Sequence, residues 1–395
     1  MITDEMLKYF GYISRVSEVL TLTICRAFSW NKYTKKLELT KGVEYVTYCE
    51  ATAGLLFSVI IITYRLIKVL WLNSVDVFGM IIAIGYACLM WTGGCMMVLV
   101  IQRREELATW LNSTVKLDMK LKRIFPGTYI YGMTTQQKKI RHLEHLLRWL
   151  FFIHWPINLG IIAIFFEKFD PFHRFFVEYI GIKPRWNTMF IPIAMVEAWF
   201  GYLICYHFAT VLAAAILYTT MELWLTSFSN GLGTHYEKPV GVSKETMGQA
   251  HLLFYRCQQV LSNRTNGFCA SILVTVHHAC FMVAHIVGNY AILTRTSDSS
   301  FIMRVAPVVV VPLGYWGTYS EISLISNFRE ASETFIRKCR VHYGTDRYLR
   351  RGFKACRPLN IWSGYPFFCI ETKAFFSMFV RIIVEMTINL KLSLP

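Results

Sequence analysis

Seven apolar blocks constrain this chain more than any other feature. They run over residues 45–72, 77–101, 146–166, 187–225, 269–293, 301–326 and 367–390. Each is long enough to cross a hydrocarbon layer, which takes about 20 residues. A backbone in lipid must satisfy its own hydrogen bonds, so blocks of this kind are expected to be helices. The fourth is too long for one crossing, and its tail is expected to continue as helix outside the bilayer beside residues 245–261. Composition agrees. Of 395 residues, 54% are hydrophobic and 17% charged, whereas soluble domains carry about a quarter charged residues.

The basic residues give the spans a direction. Lys8, Arg15, Arg26, Lys32, Lys35, Lys36 and Lys41 precede the first span. Arg103, Arg104, Lys116, Lys120, Lys122, Arg123, Lys138, Lys139 and Arg141 follow the second. A third cluster from Arg329 to Arg357 follows the sixth, and few basic residues lie on the opposite side. The positive-inside rule then sets the N-terminus in the cytoplasm and the C-terminus outside. This pattern accounts for the net charge of +16 without nucleic acid as a partner. Asp4, Glu5, Arg15 and Glu18 interrupt the opening segment, which does not read as a secretory signal.

Several short motifs fade in this frame. Asp346-Arg347-Tyr348 is the tripeptide that closes the third span of G-protein-coupled receptors. Here it follows the sixth span of a chain whose N-terminus is inside, so it reads as part of a solvated linker. Two glycosylation sequons, at Asn112 and Asn263, fall on the expected inner face and should stay unmodified. The 11 cysteines show no paired spacing, and neither a metal site nor a disulfide framework is expected. His142 and His145, with His277, His278 and His285, are split between a loop and the fifth span. They do not form the clustered boxes of a di-iron enzyme. No nucleophile motif, phosphate-binding glycine loop or catalytic acid pair stands out, so no enzymatic activity and no cofactor is expected.

Seven spans, an inner N-terminus, a long fourth helix and a short C-terminal tail make the chain similar to the insect gustatory and odorant receptor superfamily. In sequence the resemblance is concentrated in "NFREASETFIRKC" and in "LRRGFKACRPLNIWSGYPFFCIETKAFFSMFVRIIVEMTINL". Gustatory receptors carry Thr, Tyr, five hydrophobics, Gln and Phe in the seventh helix. Thr372 and the run 374–378 match, while Lys373, Phe379 and Val380 depart from the Tyr, Gln and Phe. The chain thus resembles a divergent gustatory-type member.

The resemblance implies an all-α membrane protein in which four seventh helices line the central pore of a tetramer. It implies a chemosensory receptor in the plasma membrane of sensory neurons, acting as a ligand-gated, non-selective cation channel. The implied partners are a small-molecule tastant or odorant, the bilayer, permeant cations, and like or related subunits. The chain then divides into a cytoplasmic segment (1–42), spans one to six with the ligand pocket (43–325), a cytoplasmic linker or anchor (326–366), and the pore helix with a short extracellular tail (367–395). The alternative is a seven-span receptor or transporter without its own pore. The linker aromatics Phe335, Tyr343, Tyr348, Phe353 and Trp362 could serve subunit contacts or a lipid-facing surface.

Two groups of residues are candidates for chemistry. Ionisable groups inside spans are costly and call for a reason. Glu197, in "MVEAWFGY" with Trp199, Phe200 and Tyr202, could anchor a ligand or pair with a neighbouring helix. Tyr86, Trp155, Tyr315 and Trp316 could flank the same pocket, or pack the membrane core. Glu321 reads as a helix-packing partner. On the seventh helix, Phe376, Val380, Ile383 and Thr387 share one face at 100° per residue. Arg381 and Glu385 lie nearly opposite and can pair. Turning the arginines away from a cation path sets Val380 and Ile383 at a closed constriction, with Phe376 below, Phe379 beside it and Thr387 at the outer mouth. The bland reading is that this stripe packs against the fifth or sixth helix.

Overall fold

The structure is a computed structural model. It describes residues 1–20, 26–71, 77–152, 199, 209–232, 243–267, 274–293, 301–363, 368–369 and 372–393. Helices dominate. In chain order they are α1 (Asp4–Leu20), α2 (Val43–Trp71), α3 (Val77–Ile124), α4 (Pro126–Thr135), α5 (Gln137–Phe152), α6 (Met221–Gly231), α7 (Lys244–Thr265), α8 (Val274–Leu293), α9 (Phe301–His342), α10 (Arg347–Ala355) and α11 (Thr372–Ser393). Two short antiparallel pairs interrupt them: β1 (Phe28–Asn31) with β2 (Lys36–Leu39), and β3 (Trp362–Ser363) with β4 (Phe368–Cys369).

Among the described residues, Val43–Tyr64 and Ala209–Gly231 are long and apolar enough to cross a membrane. The second lies mostly inside the protein. The apolar blocks at 77–101 and 301–326 do not end as helices where their apolar character ends. α3 runs on through its basic half, with non-helical backbone at Arg103 (φ −122°, ψ 18°) close to the polarity change. α9 continues to His342, 42 residues in all, or about 63 Å at 1.5 Å per residue.

These extensions meet α4, α6, α7 and α10 in a helical base. Its core is aromatic: Phe228 packs on Phe125, His251 and Phe254 with ring centroids 4.9, 4.7 and 5.2 Å away. The tail of the fourth apolar block therefore lies beside α7, as its length implied. Phe335, Tyr343 and Phe353 join this core, at 0%, 1% and 0% exposure. These three therefore serve neither subunit contacts nor a lipid-facing surface: they face inward because α9 and α10 fold back on α7. Of the same set, Tyr348 is exposed.

Polar groups within the base are used structurally. Asp346 is the N-cap of α10, its carboxylate accepting from the backbone N–H groups of Tyr348 and Leu349 at 2.8 and 3.0 Å. The tripeptide is thus a helix start rather than a receptor motif. Ser243 caps α7 by accepting from the Thr246 N–H. Asp118, 1% exposed, accepts from Trp224 Nε1 at 2.7 Å and from the Ile2 N–H at 3.0 Å. It also meets the Lys122 ammonium at 2.8 Å. Burial pushes its carboxyl up, but the neighbouring ammonium groups outweigh this and hold it below the usual carboxylate range. Lys139 reaches Glu222 at 2.6 Å. The strap after α10 is tied down by Tyr255, whose hydroxyl donates to the Arg357 carbonyl at 2.8 Å, and by Ser332, whose hydroxyl accepts from the Leu359 N–H at 3.0 Å.

The sequon asparagines are already committed or poorly placed. Asn112 donates to the Leu37 carbonyl at 2.9 Å and accepts from the Leu37 N–H at 2.8 Å, holding the β1–β2 hairpin on α3. Thr114 is fully buried. Asn263 lies within α7, and its Thr265 is buried.

Candidate functional site

Where α8, α9 and α11 pack together, polar and aromatic side chains line their shared seam. His278 and His285 are seven residues apart on α8, two turns along one face. His278 Nε2 lies 3.8 Å from Glu321 Oε1 on α9, the packing role expected for Glu321. His285 stacks on Tyr315 with centroids 4.1 Å apart and an interplanar angle of 18°. Asn289 donates to the Tyr315 hydroxyl oxygen at 3.1 Å. The helices approach closely here. A Cβ on Gly288 would meet Val311 Cγ2 at 2.3 Å, and one on Gly314 would meet His285 Cε1 at 2.6 Å. Small residues permit such contact between helices.

α11 covers this seam with one face. Phe379 lies edge-on to both histidines, at centroid distances of 6.3 Å from His278 and 6.2 Å from His285. Phe376 meets Tyr319 of α9 edge-on at 5.1 Å. Phe379, Ile383 and Thr387 are 1%, 0% and 4% exposed. Phe376 and Val380 are half-buried. This corrects the orientation expected for the seventh helix. Ile383 and Thr387 are enclosed by their own chain, so neither is free to border a passage between copies. The bland packing reading holds for them. The opposite face carries Ser377, Arg381, Val384, Glu385 and Ile388, all exposed. The Arg381–Glu385 pair forms as expected, Nε donating to Oε1 at 2.7 Å.

The expected ligand-contact residues are only partly placed. Tyr315 is half-buried in the α8–α9 seam, with His285 and Asn289 as neighbours. Trp316 turns the other way, is exposed, and meets Trp149 of α5 at 6.4 Å. Those two therefore do not share a site. Trp199 is half-buried and packs on the apolar core. The Tyr86 side chain, Trp155, Glu197, Phe200 and Tyr202 lie outside the described residues. The seam histidines were set aside in the sequence as failed metal ligands. Their seven-residue spacing on an apolar helix was the signal that they share a packed face.

The sequence matches no family model. It matches no curated protein either. Its fold, by contrast, is that of insect olfactory receptors. The olfactory receptor OR5 of Machilis hrabei in complex with eugenol superposes with a TM-score of 0.67, at 15% identity, over 98% of this chain and 98% of that one. A second structure of OR5 from the same organism superposes with a TM-score of 0.66, at 14% identity, over 97% of each chain.

Proposed function

We propose that the chain is a chemosensory receptor of the insect odorant and gustatory receptor superfamily, working as a ligand-gated, non-selective cation channel. The observation that carries this reading is the match in fold over 98% of both chains to an olfactory receptor solved with a small molecule bound. In this reading seven helices cross the plasma membrane, with the N-terminus in the cytoplasm and the C-terminus outside. Four copies surround a path bordered by α11, and the helical base formed by α3, α4, α6, α7, α9 and α10 lies on the cytoplasmic side. A small tastant or odorant binds within each protomer, with Glu197, Trp199, Phe200 and Tyr202, together with Tyr86, Trp155 and Tyr315, as contact candidates. Constriction of the path falls to the exposed face of α11, on which Val384 and Ile388 supply apolar side chains able to exclude water, while the Glu385 carboxylate offsets the Arg381 charge that would otherwise repel cations.

Whole-cell recording tests the proposal, with the chain expressed alone and a panel of eugenol, simple sugars and bitter alkaloids applied outside. The expected result is compound-evoked, non-selective cation current with unitary steps. Saturable uptake of a compound without unitary steps would replace the channel with a transporter.

A further inference from the structure

α5 leaves the base with two faces of different chemistry. Ile140, Leu143, Leu146, Leu147 and Leu150 are buried against the protein. Arg141, His145, Arg148, Trp149 and Phe152 are exposed, at i, i+4, i+7, i+8 and i+11, which is one face of a helix. Trp149 and Phe152 keep 52% and 50% exposure. The Arg148 guanidinium carbon lies 5.9 Å from the centre of the Phe152 ring. Among the described residues no carboxylate pairs with Arg141 or Arg148: the one acid of α5, Glu144, accepts from the Thr3 hydroxyl at 2.6 Å. The face thus joins unneutralised arginines to exposed aromatic rings.

The depth of this face indicates its occupant. Trp149 meets Trp316 of α9 with ring centroids 6.4 Å apart. Trp316 lies fifteen residues after Phe301, about 22 Å along the helix at 1.5 Å per residue. A hydrocarbon layer is about 30 Å thick, so with Phe301 at its outer edge both tryptophans lie about 8 Å inside its inner edge. His145 and Arg141 lie four and eight residues before Trp149, about 6 and 12 Å nearer the cytoplasm. They fall where lipid phosphates begin, and Arg148 reaches the same layer by extending its side chain toward it. Tryptophan and arginine at that level suit lipid. The rings lie beside acyl chains, and the guanidinium groups form forked hydrogen bonds with phosphate. A zwitterionic headgroup brings its own cation to these arginines, whereas an anionic one does not. The cytoplasmic leaflet supplies the anionic kind.

We propose that the exposed face of α5 is a binding site for one anionic phospholipid of the cytoplasmic leaflet. Arg141, His145 and Arg148 hold its headgroup phosphate, and Trp149, Phe152 and Trp316 support an acyl chain. The proposal rests on the membrane topology of the reading above, and goes beyond it by naming a lipid ligand apart from the tastant or odorant.

Native mass spectrometry of the full chain, released from detergent micelles holding equal amounts of phosphatidylserine and phosphatidylcholine, reads the site directly. Phosphatidylserine should be retained in preference to phosphatidylcholine. Arg141→Gln combined with Arg148→Gln should lower that preference about 25-fold, or about fivefold for each basic residue lost. Arg350→Gln combined with Arg351→Gln removes the same charge from the exposed side of α10 and should leave the preference unchanged. Equal retention of the two lipids, no change in the α5 variant, or an equal drop in the α10 variant would overturn the proposal. So would full displacement of phosphatidylserine by inorganic phosphate at equal concentration, which marks a free-anion site. If the double α5 variant fails to fold, Arg148→Gln alone decides: a drop of about fivefold is expected, and an unchanged preference overturns the site. Labelling of His142→Cys from outside intact cells would overturn the topology and this site with it. Phosphatidylserine preference without evoked current would keep the site and remove the channel reading. Evoked current without lipid preference would do the opposite.

Discussion

The helical base and the C-terminal helix use polar residues in opposite ways. In the base, charge is drawn inward and matched: Asp118 is 1% exposed yet meets Trp224, Lys122 and the Ile2 N–H within 3.0 Å. On α11, charge is turned outward, and Arg381 and Glu385 meet only each other among the described residues. A region whose buried charges are matched within one chain can hold its shape alone. α11 instead carries an exposed ion pair near mid-length, matched only within its own turn. The base matches its charges inside the chain, whereas the charged face of α11 stays open in the single chain.

The strongest way to break the contrast is Asp118→Ala. It strands a buried indole N–H and an ammonium, and should cost about 3–5 kcal/mol, read as a lower melting temperature in detergent. Arg381→Gln in the same assay should leave protomer melting unchanged. Equal effects would erase the distinction. Gly248→Val comes next. A Cβ there already falls 2.3 Å from Leu349 Cδ1 and 3.0 Å from the Tyr343 ring, so the α7–α10 contact must open at about 1–3 kcal/mol. A neutral outcome would show that the base is looser than its burial implies.

Acid sharpens the comparison further. Burial holds His251 down to about 3, while the unfolded chain protonates it near 6.5. Below that value the unfolded state binds the proton and the folded state does not. Stability is therefore retained above about pH 6.5 and lost as pH falls toward 3, by about 1.4 kcal/mol per pH unit. Melting at pH 7 and pH 5 should differ by about 2 kcal/mol from this group. His251→Gln should shrink the difference; an unchanged pH response would contradict the assignment. The smallest expected effect is at Asn112. Replacement by Ala removes both bonds to Leu37 and should cost about 1–2 kcal/mol. Glycosidase treatment of the unaltered protein should leave the mobility of any peptide containing Asn112 unchanged, because its amide is occupied.

Hydropathy made the helical tail of the fourth apolar block beside α7 legible, because that feature depends on local composition. The i,i+4 spacing of Arg381 and Glu385 was equally local, and the pair is present. The rotation of α11 was not legible. Both faces carry large apolar residues, Phe379 and Ile383 on one, Val384 and Ile388 on the other. Keeping arginine from a cation path points to the Phe379–Ile383 face, which is the one packed on α8 and α9. The deciding term is tertiary: Phe379 fits between His278 and His285, whose side chains come from a helix nearly a hundred residues earlier. Asp118 was hidden for a related reason. In a lysine-rich segment a single acid reads as surface, and only the return of Trp224 makes it a buried acceptor. Asp346 was legible in principle, as an N-cap ahead of a short helix, but the familiar tripeptide around it drew attention away.

The most direct test compares neighbouring positions on α11. Ile383→Cys and Val384→Cys differ by one residue and point about 100° apart, one fully enclosed and the other 45% exposed. A positively charged, water-soluble thiol reagent is applied during current recording. If copies assemble around the exposed face and enclose the ion path, Val384→Cys should react and change the current, while Ile383→Cys stays silent. Reaction and block at Ile383→Cys, with Val384→Cys unaffected, would contradict it.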